Sequence, residues 1–405
     1  MLTHSIPFAP DHASDFFAGF PATSAVFVLR GADASAEPYI SKSANLRKRL
    51  QRLLAPPESQ SKRLNLRERV AVIEYTLTGS DFESMLVLYK TLREEFPHTY
   101  QKRLRLHPAP LIRLNLDNEY ARAYVTNRLG RLTGRSVYYG PFRSRAVAEK
   151  FMNDSLDLFK MRRCTFDLNP DPAFPGCVYS EMKMCLAPCF KGCTDEAYAA
   201  EVARVQDWFD SGGESLIAEM EAERDRLSAD LDFEAAAERH MRLNKIKGIV
   251  ALSDEICRRL DRLDAVVVQP ANQSRTVALF RFCKGELTGP EHFAVETPVD
   301  KETATENTAT TPDQRLQECL ARLTPAGARS AAQFMEELAM LKRWYYRTHK
   351  VGEIVLARPG GDLSIRRIAN AAMRVHRNEK EIKGPTPEAA TMEDSRAGEK
   401  PNVET

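Results

Sequence analysis

Residues 24–54, SAVFVLRGADASAEPYISKSANLRKRLQRLL, change character twice, and that change decides the fold. "SAVFVLRG" is an apolar strand, "ADASAE" a turn of small and polar residues, and "PYIS" a second strand. "ANLRKRLQRLL" then reads as a basic amphipathic helix with Leu46, Leu50, Leu53 and Leu54 on one face. Pro56 and Pro57 stop it, because proline has no amide proton to continue the helical ladder. "RVAVIEYTLT" (69–78) reads as a third strand, and "DFESMLVLYKTLREEF" (81–96) as a helix closed by Pro97. Strands and helices interleaved this closely predict a small sheet with helices packed on it, ending near residue 100, in a chain of the α+β class.

The 405 residues have room for two or three compact domains. A hydrophobic content of 43% and a mean hydropathy of -0.41 describe a soluble globular chain. No run of about 18 apolar residues is present, so no membrane-spanning helix is expected. "MLTHSIPFAP" lacks the basic segment and apolar core of a signal peptide, so the chain reads as cytoplasmic. Formal net charge is only +2, so polyanion binding must come from local clusters. Residues 41–70 hold nine Lys or Arg against two acids, and residues 101–150 hold eleven against three. Tyr100, Tyr120, Tyr124, Tyr138, Tyr139 and Phe142 accompany the second cluster. Cations among aromatic rings suit a nucleic-acid surface, and the same pattern suits a plain solvated basic face.

Further along, 145–162 reads as helical, and 195–260 as two amphipathic helices broken near "ADLDFE", an antiparallel hairpin. Residues 264–283 alternate like a strand pair around a turn. Residues 300–313, "DKETATENTATTPD", read as a polar linker, followed by a helix at 329–347 and a strand, "GEIVLARPG". From 378 the tail is charged and poor in apolar residues, and disorder is expected.

Five of the eight cysteines fall between 164 and 193. Cys164, Cys177, Cys185 and Cys189 are 13, 8 and 4 positions apart, and Cys193 adds another step of 4. In a reducing compartment such clustering points to metal rather than disulfides. Soft sulfur ligands suit zinc or an iron–sulfur cluster, and buried, unliganded thiols are the other reading. Cys257, Cys283 and Cys319 are dispersed in apolar contexts and read as packing residues.

Four features in this order resemble the UvrC family, the excinuclease ABC subunit of bacterial nucleotide excision repair. The first 100 residues resemble its GIY-YIG nuclease domain, "AVF" and "YIS" standing for GIY and YIG and "KSANLRKRL" for the helix that follows. "YYGPFRSRAVAEKF" resembles the family's Tyr-Phe-Gly-Pro segment. Cys164, Cys177, Cys185 and Cys189 match the family's four-cysteine region, which implies a 4Fe–4S cluster, with zinc as the alternative. "LDFEAAAERHMRLNKIKGI" is similar to the UVR motif, a hairpin that implies contact with a UvrB-like protein through residues 215–250. Phe233, Ala236, Leu243 and Ile246 are its apolar positions, and an internal spacer is the other reading of this hairpin. No counterpart of the family's RNase H-like core or helix-hairpin-helix repeats is recognised, so the architecture resembles Cho, the stand-alone homologue of the UvrC N-terminal half. The implied divisions are a GIY-YIG-like domain at 15–105, a basic and cysteine-rich region at 106–195 and a UVR-like hairpin at 196–255. A small α/β region at 260–375 and the tail at 378–405 follow.

The resemblance also implies a nuclease site and shows it altered. Tyr39, Lys42 and Arg49 match family positions. Phe27 stands for the GIY tyrosine, Leu88 for the metal-binding glutamate and Gln101 for an asparagine. Phenylalanine cannot assist water and leucine cannot bind magnesium, and loss of one such group costs a factor of about 10² to 10⁴. The expectation is an inactive or weak site that keeps its cations for DNA, with Arg47, Lys48, Arg52, Arg143 and Arg145 as further contacts. Mg²⁺ enters only if the nuclease works. The rivals are a Cho-like nickase using Glu83 as its metal ligand, and a redox-sensing DNA-binding protein.

Overall fold

The computed structural model describes residues 2–378 apart from 13, 34, 57–63, 131–133, 296–310, 326, 328 and 359. The expected linker lies largely, and the expected disordered tail almost wholly, outside the described residues. Among the described residues, three four-stranded antiparallel sheets and eleven α-helices make up the α+β architecture.

The first sheet contains β1 (His4–Pro7), β2 (Ala25–Arg30), β3 (Tyr39–Ser43) and β4 (Val72–Leu77) in the order β1-β4-β2-β3. Phe27 stands opposite Ser41 on one side and Tyr75 on the other. Between β3 and β4 runs α1 (Leu46–Leu54), whose four leucines are buried with Phe17, Phe20, Phe27 and Ile73. Its start is set by Asn45, whose side chain accepts from Lys48 N at 3.0 Å. β1 and the aromatic run Phe16–Phe20 went unread in the sequence. Pro7 and Pro10 mask a strand that is only four residues long.

α2 (Asp81–Glu95) and the short α3 (Tyr100–Leu104) close this part. α2 buries Phe82, Met85, Leu86 and Tyr89 in a core shared with the third sheet, so the first domain is welded to the last. Phe82 meets Phe280 edge-on at 5.1 Å and Trp344 at 5.4 Å. The weld requires Gly79: a Cβ there would lie 2.4 Å from Pro270 O and Ala271 C.

The second sheet, ordered β6-β5-β7-β8, comprises β5 (Leu111–Asn115), β6 (Arg122–Thr126), β7 (Val137–Gly140) and the distant β8 (Arg258–Arg259). It shares a core with α4 (Arg145–Leu156) and three later helices. The one-turn α5 (Val178–Glu181) lies in the cysteine segment. The stretch read as two helices is three: α6 (Asp195–Asp210), α7 (Glu214–Ala229) and α8 (Phe233–Val250). Gly212 and Gly213 break the first pair at positive φ (+63° and +93°). The expected hairpin is α7–α8, turning at Asp230–Asp232.

The third sheet is ordered β11-β10-β9-β12: β9 (Asp264–Pro270), β10 (Thr276–Cys283), β11 (Glu286–Ala294) and β12 (Glu353–Leu356). α9 (Pro312–Arg322), α10 (Ala331–Tyr345) and α11 (Ile365–His376) pack on it. Glu353 is 3% exposed and receives a two-pronged ion pair from Arg374 at 2.8 and 2.6 Å. Removing one partner of such a pair strands a buried charge, so Arg374→Ala is expected to cost about 3 kcal/mol in a urea-unfolding midpoint series. A loss under about 1 kcal/mol would show the pair to be solvated.

Candidate functional site

In the first domain, β3 and α1 bring Tyr39 and Arg49 together: Arg49 Nη2 donates to the Tyr39 hydroxyl at 2.8 Å. Arg49 Nε is buried without a partner, and no carboxylate among the described residues pairs with this guanidinium. Phe27 is fully buried, its ring 6.2 Å from that of Tyr39. Lys42 turns away to Asp81 Oδ1 at 2.5 Å, and Arg347 holds Asp81 Oδ2 from the other side at 2.5 Å. Burial opposes ionisation of Asp81, but the hydrogen bond and charge of Lys42, with Arg347 behind them, keep its carboxyl below the usual range.

Leu88 is half-buried on α2. Gln101 donates to Glu336 Oε1 at 2.6 Å, which ties it to α10. Glu83 is buried and its carboxylate accepts from Gly79 N at 2.8 Å. Burial pushes its pKa up. Its carboxylate serves the β4–α2 turn instead of pairing with Arg49.

The basic residues divide sharply. Arg47 Nε is spent on Phe20 O at 2.7 Å, and Arg145 pairs with Glu149 at 2.7 Å. Lys48, Arg52 and Arg143 are exposed. The aromatic rings expected to accompany bases pack inward instead: Tyr120, Tyr138, Tyr139 and Phe142 are buried. The hydroxyl of Tyr139 donates to Asp210 at 2.7 Å and that of Tyr120 to Asp195 at 2.9 Å. Tyr124 is covered by Arg122 and Arg113, at 4.9 and 5.8 Å from its ring centre. An alternating strand pattern such as "RAYVT" cannot tell a stacking platform from a core.

Cys164, Cys177, Cys185 and Cys189 line one narrow cleft, and Cys193 lies outside it. Several tight turns bend the chain around the cleft, Lys183, Ala187 and Lys191 all having φ near +57° and Gly176 +91°. Ala187 N donates to Cys185 Sγ at 3.3 Å, and Arg162 Nη1 to Cys164 Sγ at 3.3 Å. Burial pushes the Cys185 thiol up to about 11 and raises Cys189, with the neighbouring cysteines adding to both. Among the described residues no three His, Cys, Asp or Glu side chains stand together as a single metal ion requires. Arg162 is 1% exposed, and among the described residues its guanidinium donates, besides Cys164 Sγ, only to the carbonyls of Tyr120 and Phe166. Arg163 on the same cleft has a buried Nε without a partner, while its Nη2 pairs with Asp157 Oδ1 at 2.7 Å. A buried cation with neutral acceptors is costly, and a thiolate at Cys164 would balance that of Arg162. A donor set of four thiols suits an iron–sulfur group or zinc. Sequence reading missed these arginines, although both sit directly before Cys164.

On the hairpin, Leu243 and Ile246 are buried in the middle core and Ala236 is 9% exposed. Phe233 is 65% exposed, and it is joined by Leu231 at 72% and Met241 at 67%, neither anticipated from spacing. Leu231 holds φ +63°, a conformation leucine seldom adopts, which turns its side chain out at the bend. No helix among the described residues is long and apolar enough to cross a membrane.

Residues 109–208 match the family model of the UvrC/Cho excinuclease middle domain, and residues 214–249 match that of the UvrB/UvrC motif. The chain is 26% identical over 274 residues to UvrABC system protein C of Methanothermobacter thermautotrophicus, covering 67% of this chain and 45% of that one. It is 23% identical over 281 residues to the protein of that name from Dehalococcoides mccartyi strain BAV1 (69% and 46%). For the Rickettsia bellii protein the identity is 27% over 252 residues (62% and 39%). The chain thus spans less than half the length of these relatives. No solved structure matches it. The chain is thus similar to the UvrC family over two adjacent segments, one matching the UvrC/Cho middle domain and the next the UvrB/UvrC motif.

Proposed function

We propose that this protein is a DNA-binding component of nucleotide excision repair that works with a UvrB-like partner and binds, without efficiently cutting, through a degenerate GIY-YIG-like domain. The observation that carries the reading is the Tyr39–Arg49 pair beside Phe27: the cation for a phosphate is retained, while the neighbouring ring has no hydroxyl and no carboxylate faces the pair. Phosphodiester cleavage needs a metal or equivalent to meet the developing charge, and a group to take a proton from water. The Cho-like alternative needs Glu83, whose carboxylate is buried on Gly79 N.

The middle region would hold an iron–sulfur cluster through Cys164, Cys177, Cys185 and Cys189, which supplies soft-ligand cross-linking to a segment with little regular structure. Arg162 and Arg163 would steady its charge. The hairpin would meet the UvrB-like partner through Leu231, Phe233 and Met241.

Fluorescence anisotropy with a labelled 30-base-pair duplex tests the binding part. At about 50 mM salt the expected dissociation constant is micromolar or tighter, steeply weakened by added salt. An unchanged signal up to a protein concentration of about 100 μM would end this reading.

A further inference from the structure

Three separated stretches meet in a cleft of about 1160 Å³ of atom-free space, lined by Arg105, His107, Arg143, Lys342 and Arg343 together with Tyr346. No carboxylate lines it, and none of the four Arg and Lys side chains is held in an ion pair among the described residues. This sets them apart from Lys42, Arg47 and Arg145, whose charged groups already have partners.

The cleft is firmly built. Arg105 closes α3 at φ +49°, and Lys342 and Arg343 lie on consecutive positions of α10. Arg143 follows the Gly140–Pro141 turn of "YYGPFR", which is pinned from three sides. The Tyr346 hydroxyl donates to Pro141 O at 3.0 Å, Cys257 Sγ donates to the same oxygen at 3.1 Å, and Phe142 N donates to Pro110 O at 3.0 Å. Burial alone lowers the Lys342 pKa, as expected of an ammonium with no anion beside it. Fixed cations between low-dielectric walls focus positive potential into the space they share.

We infer that this junction cleft, alongside the Tyr39–Arg49 pair and rather than the exposed Lys48 and Arg52 of α1, seats the phosphodiester backbone of DNA. The inference rests on the DNA-binding reading above and locates it. It also gives "YYGPFR" a task, the placing of Arg143 opposite α10 and the α3–β5 connection. Backbone contacts of this kind position DNA without reading its sequence.

The test compares three proteins with labelled duplex over a salt series. They are the wild type, the exposed triple variant Arg105→Ala/Arg143→Ala/Arg343→Ala, and Lys48→Ala/Arg52→Ala on α1. The triple variant is expected to bind about tenfold or more weakly, with the log–log salt slope shallower by about 2 to 3 because each phosphate contact contributes about 0.9. The α1 variant should stay within about twofold of wild type. Wild-type affinity and slope in the triple variant, or a larger loss in the α1 variant, overturns the assignment. Should the triple variant lose its far-UV circular dichroism, Lys342→Gln decides: a loss of about threefold or more supports the cleft, and no loss overturns it. A wild type that binds no DNA at all fails the DNA-binding reading itself, an outcome visible before any variant is compared.

Discussion

Cys185→Ala protein prepared without oxygen should be colourless and nearly iron-free, while Cys193→Ala should keep the brown colour and the iron content of the wild type. The contrast follows from position: Cys185 borders the cleft with three other thiols and Cys193 does not. Sulfur-ligated clusters tolerate loss of a thiolate poorly, and binding free energy at such sites is also folding free energy. The effect should therefore spread to the chain around it. Residues 163–193 hold only two short helical turns, α5 and Pro188–Phe190, so little else orders them. Limited proteolysis should cut that segment at least about tenfold faster in the Cys185 variant. Equal iron in both variants would remove the cleft as the site, and iron or zinc absent from the wild type would remove the cofactor.

The second large effect is expected at the hairpin. Phe233→Ala/Met241→Ala should weaken capture of a UvrB-like protein by about 30-fold or more, since exposed aromatic and thioether side chains at a bend are the usual anchors of an interface. The same pair of changes should leave the unfolding temperature within a few degrees, because both side chains are already in water. Leu243→Ala provides the contrast: that residue is 1% exposed, and its loss should cost about 2 to 5 kcal/mol of stability. Unchanged capture by the double variant, with wild-type protein binding the partner, would show the hairpin to be an internal spacer.

Legibility of the chain followed the strength of its periodicity. α1 was plain because four leucines and an asparagine cap agree on one register. β9 and β10 were plain because their apolar runs are long. β11 was missed because Gly289 and Pro290 interrupt it, and α11 because its apolar positions are largely alanine. Spacing offered five cysteines and the resemblance picked four of them, and the same four, without Cys193, line the cleft. At the hairpin, spacing identified the helix yet picked out the face turned to the core. An apolar stripe says that something is covered and not by what. The junction cleft was illegible for a different reason: its cations come from positions 105, 143 and 342–343, and no local pattern joins them.

The central claim, that the first domain keeps a phosphate contact but has lost the means to cut, is tested most directly by incubating the purified protein with supercoiled plasmid and Mg²⁺ or Mn²⁺. The account predicts plasmid that is bound and shifted but remains supercoiled, with and without the UvrB-like partner. Conversion to the nicked circle that disappears in Arg49→Ala protein would contradict it.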